Sequence, residues 1–186
     1  MTCSEHLCAR SGVLRVIAIL GVFSLAIALS SCKNPQPSHG LATGQAVPLP
    51  PVGHLPEADS TQLQGMLVTA RGHPVVINLW ASWCVPCRTE MPRLQNAHQQ
   101  YGAKVVFIGV AINDQASDAR IFLKDQHVTY GNVIDISGRI PHLLGADGLP
   151  TTYVTGKTGK IRGTVLGGIS EGRLHSELDA ALKDSQ

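Results

Sequence analysis

Two cysteines three residues apart, in Trp83-Cys84-Val85-Pro86-Cys87, stand where an apolar strand pattern gives way to a helical one. At a helix N-terminus the first sulfur faces backbone N–H groups without intrahelical partners and the positive end of the helix dipole. Both favour thiolate over thiol and lower the pKa from its free value of about 8.5. Pro86 suits the first helical turn, where its missing N–H costs nothing. The second sulfur lies within reach of the first and can resolve a mixed disulfide by intramolecular attack. The spacing therefore predicts redox chemistry, with Cys84 the exposed nucleophile, Cys87 the more buried resolving thiol, and no cofactor beyond the pair. A zinc half-site and an inert buried pair are the other readings. Zinc takes four ligands, and neither a second cysteine pair nor His54, His73 or His127 stands at ligand spacing; no metal is expected. His98, His142 and His175, on helical segments, read as surface or packing residues.

The elements that must position this pair are legible around it. Pro74 opens the run Val75-Val76-Ile77-Asn78-Leu79-Trp80, rich in β-branched residues and predicting a buried strand. A helix is expected from near Cys84 to Tyr101, kinked at Pro92. Before the strand, Leu63, Met66 and Leu67 share one face of a helix over 60–69, with Ser60 as its cap. After the long helix come a strand over 104–111, an amphipathic helix over 117–124 and a short strand over 133–135. Strands over 151–155 and 161–167 flank the Gly156–Gly159 turn as a hairpin. Ser170 caps a last helix carrying Leu174, Leu178 and Leu182. Parallel strands first and an antiparallel pair last imply an α/β domain: one mixed central sheet with helices on both faces.

The N-terminal third has a different character. Arg10 and Arg15 precede an uncharged, mostly apolar run from Val16 to Leu29. Its 14 residues would span about 21 Å as a helix, short of the roughly 30 Å hydrocarbon core, which fits a signal-peptide apolar region better than a permanent span. The following Leu29-Ser30-Ser31-Cys32 resembles the lipobox of bacterial lipoproteins, in which the cysteine is acylated and becomes the first mature residue. An uncleaved anchor is the alternative; under either, the soluble part is tethered outside the cytoplasm. By that resemblance 1–31 is a signal peptide and Cys32 the lipid attachment site, on the periplasmic side of a bacterial membrane. Lys33, where an Asp favours inner-membrane retention in Gram-negative lipoproteins, leaves inner against outer membrane open. The proline-rich stretch 32–51 reads as an extended tether without a core of its own, and 52–186 as the folded domain. Cys3 and Cys8 leave with the signal and Cys32 is blocked by lipid, so of five cysteines only Cys84 and Cys87 remain free.

The run from Val75 through Trp83-Cys84-Val85-Pro86-Cys87-Arg88-Thr89-Glu90-Met91-Pro92 resembles the signature of TlpA/ResA-type thioredoxin-like proteins. Gly148-Leu149-Pro150-Thr151-Thr152 matches a second family feature, and together the matches cover nearly all of 52–182. The resemblance implies a thioredoxin-like fold, with Pro150 as the cis-proline facing the disulfide, and Trp83, Pro86, Leu149, Pro150 and Thr151 lining the substrate side. Thioredoxin keeps a buried acid on the strand before its active site; Asn78 stands there. Glu90 instead matches an acid that ResA-type proteins place near the pair. One helical turn past Cys87, its carboxylate would raise the thiol pKa values by like-charge repulsion and relay the proton when Cys87 attacks. Trp83 is expected to shield the disulfide, and Trp80 to be core. No role is assigned to Arg88.

The net charge of +2 and 4% aromatic content give no footing for nucleic acid. The leading reading is an exported, membrane-anchored reductant of specific protein disulfides, recharged by a membrane electron donor of thiol–disulfide type. Apocytochrome c or copper-site proteins are the clients that the resemblance implies. An oxidant or isomerase would use the same residues at a higher potential, and the absence of a histidine between the cysteines leans away from it. A copper- or haem-handling lipoprotein is the reading from another class, against which Cys-x-x-Cys is one residue shorter than the Cys-x-x-x-Cys of Sco-type copper carriers. No threonine stands at the peroxiredoxin spacing ahead of either cysteine.

Overall fold

The computed structural model describes residues 40–184; the signal-peptide reading of 1–31 and the lipid-attachment reading of Cys32 lie outside them. In chain order the elements are β1 (Glu57–Ala58), α1 (Ser60–Thr69), β2 (Val75–Trp80), α2 (Val85–Tyr101), a 3-10 turn (Gly102–Lys104), β3 (Val106–Ala111), α3 (Ala116–Asp125), β4 (Gly131–Asp135), α4 (Ile140–Leu144), β5 (Thr151–Thr155), β6 (Ile161–Leu166) and α5 (Glu171–Lys183). The six strands form one sheet in the order β1-β4-β3-β2-β5-β6. The β1/β4, β4/β3 and β3/β2 pairs are parallel, whereas β2/β5 and β5/β6 are antiparallel. The mixed sheet inferred from the sequence is thus observed.

The period-2 alternation of strand side chains divides the apolar residues between two cores. Along β2, Val76 and Trp80 face α2, α3 and α5, packing with Met91, Leu94, Phe122, Leu174 and Leu178. Val75, Ile77 and Leu79 face the opposite way, onto Leu63, Met66 and Leu67 of α1 and Ile140 and Leu144 of α4. Every residue of β2 is buried, as a strand covered on both faces requires. Asn78 shares the Val76/Trp80 face and is carried to the inside of α2. In β3, Gly109 leaves the space in which Trp80 Nε1–H donates to Asn132 Oδ1 at 3.0 Å; a Cβ there would overlap the Asn132 side chain.

Several sequence expectations are corrected. The cap of α1 is Asp59, not Ser60: its carboxylate accepts from Gln62 N–H at 2.8 Å while Gln62 Oε1 accepts from Asp59 N–H at 2.9 Å, a reciprocal capping box. The long helix expected up to Tyr101 is present as α2, with Pro92 inside it. The strand expected over 133–135 is β4, while β1 beside it at the sheet edge and α4 after it were not anticipated; β1 and α4 have only two and five residues, too few for a periodic pattern. Most consequential, the domain begins before residue 52. Leu41 and Ala42 are buried in the second core. Leu41 N–H donates to the Gly159 carbonyl, Val47 N–H to the Gly65 carbonyl, and Arg71 Nη2 to the Ala42 carbonyl. The stretch 40–51 is therefore a strap along α1 and the hairpin turn, held by backbone bonds and three apolar side chains that no helical or strand period reveals.

This docking predicts opposite outcomes at two helical glycines. A Cβ on Gly65 would lie 2.5 Å from Val47 Cγ2 and 2.6 Å from the Gln45 carbonyl, whereas one on Gly172 meets nothing within 4 Å. Gly65→Ala should destabilise by about 1–3 kcal/mol through overpacking, and Gly172→Ala should stabilise by up to about 1 kcal/mol through helix propensity. Urea unfolding of the two variants checks the pair; equal shifts would mean that the strap does not pack on α1.

Candidate active site

Cys84 and Cys87 form a disulfide, with sulfurs 2.05 Å apart and Cα atoms 5.3 Å apart. Cys84 is the N-cap of α2, in extended conformation, and its Sγ accepts from Cys87 N–H at 3.3 Å. Pro86 occupies the first helical turn, as its lack of an N–H allows. The sulfur that caps the helix thus sits in the field of the unpaired first-turn amides. Cys84 is not openly exposed as expected: in this oxidised form it is 4% accessible and Cys87 0%. The two sulfurs differ by position, one capping the helix and the other inside its first turn, more than by accessibility. Exposure belongs instead to their neighbours, Trp83 at 61% and Val85 at 73%.

Glu90 is fully buried. Its Oε1 accepts from Asn78 Nδ2 at 2.8 Å and its Oε2 from the Ile169 backbone N–H at 2.9 Å. Asn78 Nδ2 also donates to Thr152 Oγ1 at 3.1 Å, across the β2/β5 pair in which these residues are register partners. Burial pushes the Glu90 carboxyl above the ordinary glutamate range; the Ile169 N–H, the Asn78 amide and the charge of Arg93 pull the other way and offset only part. Asn78 Oδ1 is buried without a partner. A half-turn of the Asn78 amide would present that oxygen to a protonated Glu90, so the site has donors for the carboxylate and an acceptor for the acid. Along α2 Glu90 stands about one turn from Cys87.

The third side of the site comes from the hairpin. The Leu149–Pro150 peptide bond is cis. The Leu79–Thr151 register places this bond at the end of β2 from which the cysteine turn departs. Pro150 is buried, with its carbonyl taken by Gly167 N–H at 2.8 Å; Thr151 Oγ1 donates to the Gly148 carbonyl at 2.7 Å, and Leu149 is half-buried between the two cores. Pro86, exposed, has its carbonyl 4.0 Å from where a Cβ on Gly168 would stand, so the β6–α5 loop lies beside the first turn of α2.

Sequence reasoning overlooked three residues here. Ile169 contributes only its backbone N–H, which no side-chain pattern signals. Asn113 and Asp114 follow β3, distant in sequence from the cysteines. Asp114 accepts from Ser82 Oγ at 2.8 Å and from Ser82 N–H, and Trp83 Nε1–H donates to the Asn113 carbonyl at 2.9 Å. An acid at the end of the strand beside β2 was the available signal. Arg88, assigned no role, donates Nε–H to the Ser82 carbonyl at 3.0 Å and lies over the Phe122 ring, 5.1 Å from its centre.

The raised Glu90 pKa fixes the sign of a pH effect. Between the unfolded value, about 4.3, and the higher folded one, the folded state binds more protons, so its stability falls as pH rises and levels off above the folded value. Glu90→Gln, whose amide can donate to Asn78 Oδ1 and accept from Ile169 N–H, should remove that descent. Urea midpoints of the oxidised protein across this window check it; superimposable profiles for wild type and variant would refute the buried, proton-holding carboxyl.

Residues 54–164 match the AhpC/TSA family. The chain is 26% identical to thiol-disulfide oxidoreductase ResA of Oceanobacillus iheyensis over 174 residues, covering 91% of this chain and 86% of the relative. It is 33% identical to thiol:disulfide interchange protein DsbE of Pseudomonas fluorescens biotype C over 133 residues, covering 70% of this chain and 71% of the relative. Among solved structures, a DsbF homologue from Corynebacterium diphtheriae superposes with a TM-score of 0.57 at 29% identity, covering 61% of this chain and 75% of its own. A thioredoxin-like protein of Neisseria meningitidis known in solution does so at 0.60 and 26%, covering 64% and 81%. With a cysteine pair capping the helix after a central strand, and relatives of this kind along most of its length, the chain belongs to the AhpC/TSA family and is a ResA-type thioredoxin-like thiol–disulfide oxidoreductase.

Proposed function

We propose that this oxidoreductase works as a reductant of disulfides in exported client proteins, held to a membrane through lipid on Cys32. The observation that carries the direction is the buried Glu90 carboxyl one turn from Cys87. A strong oxidant of the DsbA kind has a stabilised reduced form. Here a carboxylate in a low-dielectric site opposes thiolate formation at the neighbouring pair, which disfavours the reduced form and favours the disulfide. That lowers the potential and makes the dithiol a better donor.

The chemistry follows from the placement. The Cys84 thiolate attacks one sulfur of a client disulfide; that S–S bond breaks, a mixed disulfide forms, and the other client sulfur leaves as thiolate. Cys87 passes its proton to the Glu90 carboxylate and attacks Cys84 Sγ. The mixed disulfide breaks, the Cys84–Cys87 bond forms, and the second client sulfur leaves and takes up a proton. Two electrons have passed to the client, and a membrane dithiol donor returns two to the pair. Exposed Trp83 and Pro86 and half-buried Leu149 line the approach, with the buried Pro150 and Thr151 behind them. An oxidant or isomerase would run the same exchanges at a higher potential.

Equilibration of the full chain with dithiothreitol or glutathione buffers tests the direction. A reduction potential close to that of thioredoxin, about −270 mV, is expected; one close to DsbA, about −120 mV, makes the protein an oxidant. Cys87→Ser should accumulate a mixed disulfide on Cys84, and Cys84→Ser should not; the reverse pattern would exchange their roles. Cys32→Ser should shift the protein from the membrane to the soluble fraction of expressing bacteria, and unchanged partitioning would remove the lipid anchor.

A further inference from the structure

Residues 81–83 join β2 to the helix cap Cys84, and their backbone sets where the Cys84 sulfur stands. The loop after β3 is bonded along them. Ile112 N–H donates to the Trp80 carbonyl at 3.0 Å, and the Trp83 indole N–H to the Asn113 carbonyl at 2.9 Å. The chain turns at Asn113, which is left-handed at φ +50°. Asp114, half-buried, then accepts from both the hydroxyl and the backbone N–H of Ser82. The remaining polar group of Ser82, its carbonyl, accepts from Arg88 Nε–H in the first turn of α2. Ser82 is buried and held at all three of its polar groups, none of which changes in thiol–disulfide exchange.

The Cys84–Cys87 disulfide constrains the same stretch from its other end. Two ties that select one conformation stabilise each other, because each forms at a smaller entropic cost once the other has ordered the chain. Opening the disulfide removes the covalent tie and leaves the bonds to Ser82 to hold Cys84 against Cys87. Hydrogen bonds to charged partners suit this task, being shorter and stronger than neutral ones. A cysteine held in place closes on its partner at a higher effective concentration than one on a loose turn.

We propose that Asp114 is a positioning residue for closure of the Cys84–Cys87 disulfide. Acting through Ser82, it holds the Cys84 turn in the conformation of the oxidised pair. The step it favours is the attack of Cys87 on Cys84 Sγ. There the Cys84–Cys87 bond forms, the mixed disulfide breaks, and the client sulfur leaves as thiolate with the electron pair. The assignment rests on the thiol–disulfide exchange activity and not on the direction of electron flow, since it concerns a change in potential and not its absolute value.

The test uses the full chain with Asp114→Ala and the isosteric Asp114→Asn, which carries the argument if the alanine variant fails to fold. Equilibration with dithiothreitol buffers gives the potential of each protein. The constant for forming the disulfide should fall about tenfold in the variants, which raises the potential by about 30 mV. Coupling is reciprocal, so urea unfolding should show the oxidised variant losing more stability than the reduced one, by the same tenfold factor. An Asp114 that only supports the fold would cost both forms equally and leave the potential where it is. The potentials are compared below and above the Cys84 pKa, located by thiolate absorbance, and the shift should persist below it. A shift seen only above that pKa would make Asp114 a charge acting on the thiolate. That result, an unshifted potential, or equal losses in the two forms would each overturn the proposal. Wild-type protein that takes up no disulfide in these buffers would instead overturn the redox reading of the pair, and Asp114's part in it.

Discussion

A carboxyl group removed from water inside a sheet–helix interface is a costly thing to fold around, and the arrangement about Glu90 shows how this chain meets that cost. Transfer of an ionised carboxylate into a protein interior carries an effective penalty of several kcal/mol unless it is paired and hydrogen-bonded. Here the two oxygens are met by donors from separate elements, Asn78 on β2 and the Ile169 N–H from the loop before α5, while Glu90 itself belongs to α2. One group therefore fixes the angle and depth at which α2 seats on the sheet, and with it the position of the cysteine turn at the helix start. It also recruits the β6–α5 loop to the site, although that loop holds no reactive side chain.

Two opposing fields act on the sulfurs. The N-terminus of α2, with Cys84 as its cap and the Cys87 N–H directed at Cys84 Sγ, favours a thiolate. The carboxyl of Glu90 disfavours one, to the extent that it is ionised, and burial keeps its pKa raised. A helix dipole contributes typically 0.3–1 kcal/mol at an exposed terminus and up to about 2 kcal/mol when partly buried. In the proposed reading the balance between the two fields, and not the cysteine spacing, sets how acidic the pair is, because a Cys-x-x-Cys at a helix start is common to donors and acceptors of electrons.

Around this centre the scaffold divides labour by direction. The parallel half of the sheet, β1-β4-β3-β2, delivers the helix start and, through the loop after β3, the residues that hold Ser82 and Trp83. The antiparallel half, β5 and β6, delivers the cis Leu149–Pro150 bond to the other side of the disulfide. Both halves meet at β2, which is buried along its whole length. A substitution there is felt on both faces, since its alternate residues serve two separate cores.

Much of this was legible in the sequence. The β-branched run 75–80, the leucines of α5 and the Gly156–Gly159 turn each carry a local period or turn chemistry that does not depend on the rest of the chain. The cysteine pair and its helix start were readable for the same reason, and so was the α/β class. Residues 40–51 were misread because an extended strap has no periodicity, and its proline-rich composition is equally compatible with a free tether. Cys84 was expected to be exposed because sequence gives the position of a residue along a helix but not what packs over it. By itself the sequence determined which residues carry the redox chemistry and the order of most of the elements around them, since both rest on residue types and short spacings. Tertiary structure alone decided that Glu90 is buried against Asn78 and Ile169, that Asp114 reaches Ser82, and that the strap belongs to the core. Those contacts join residues 12 to 118 positions apart, and only the closing of the sheet brings such positions together.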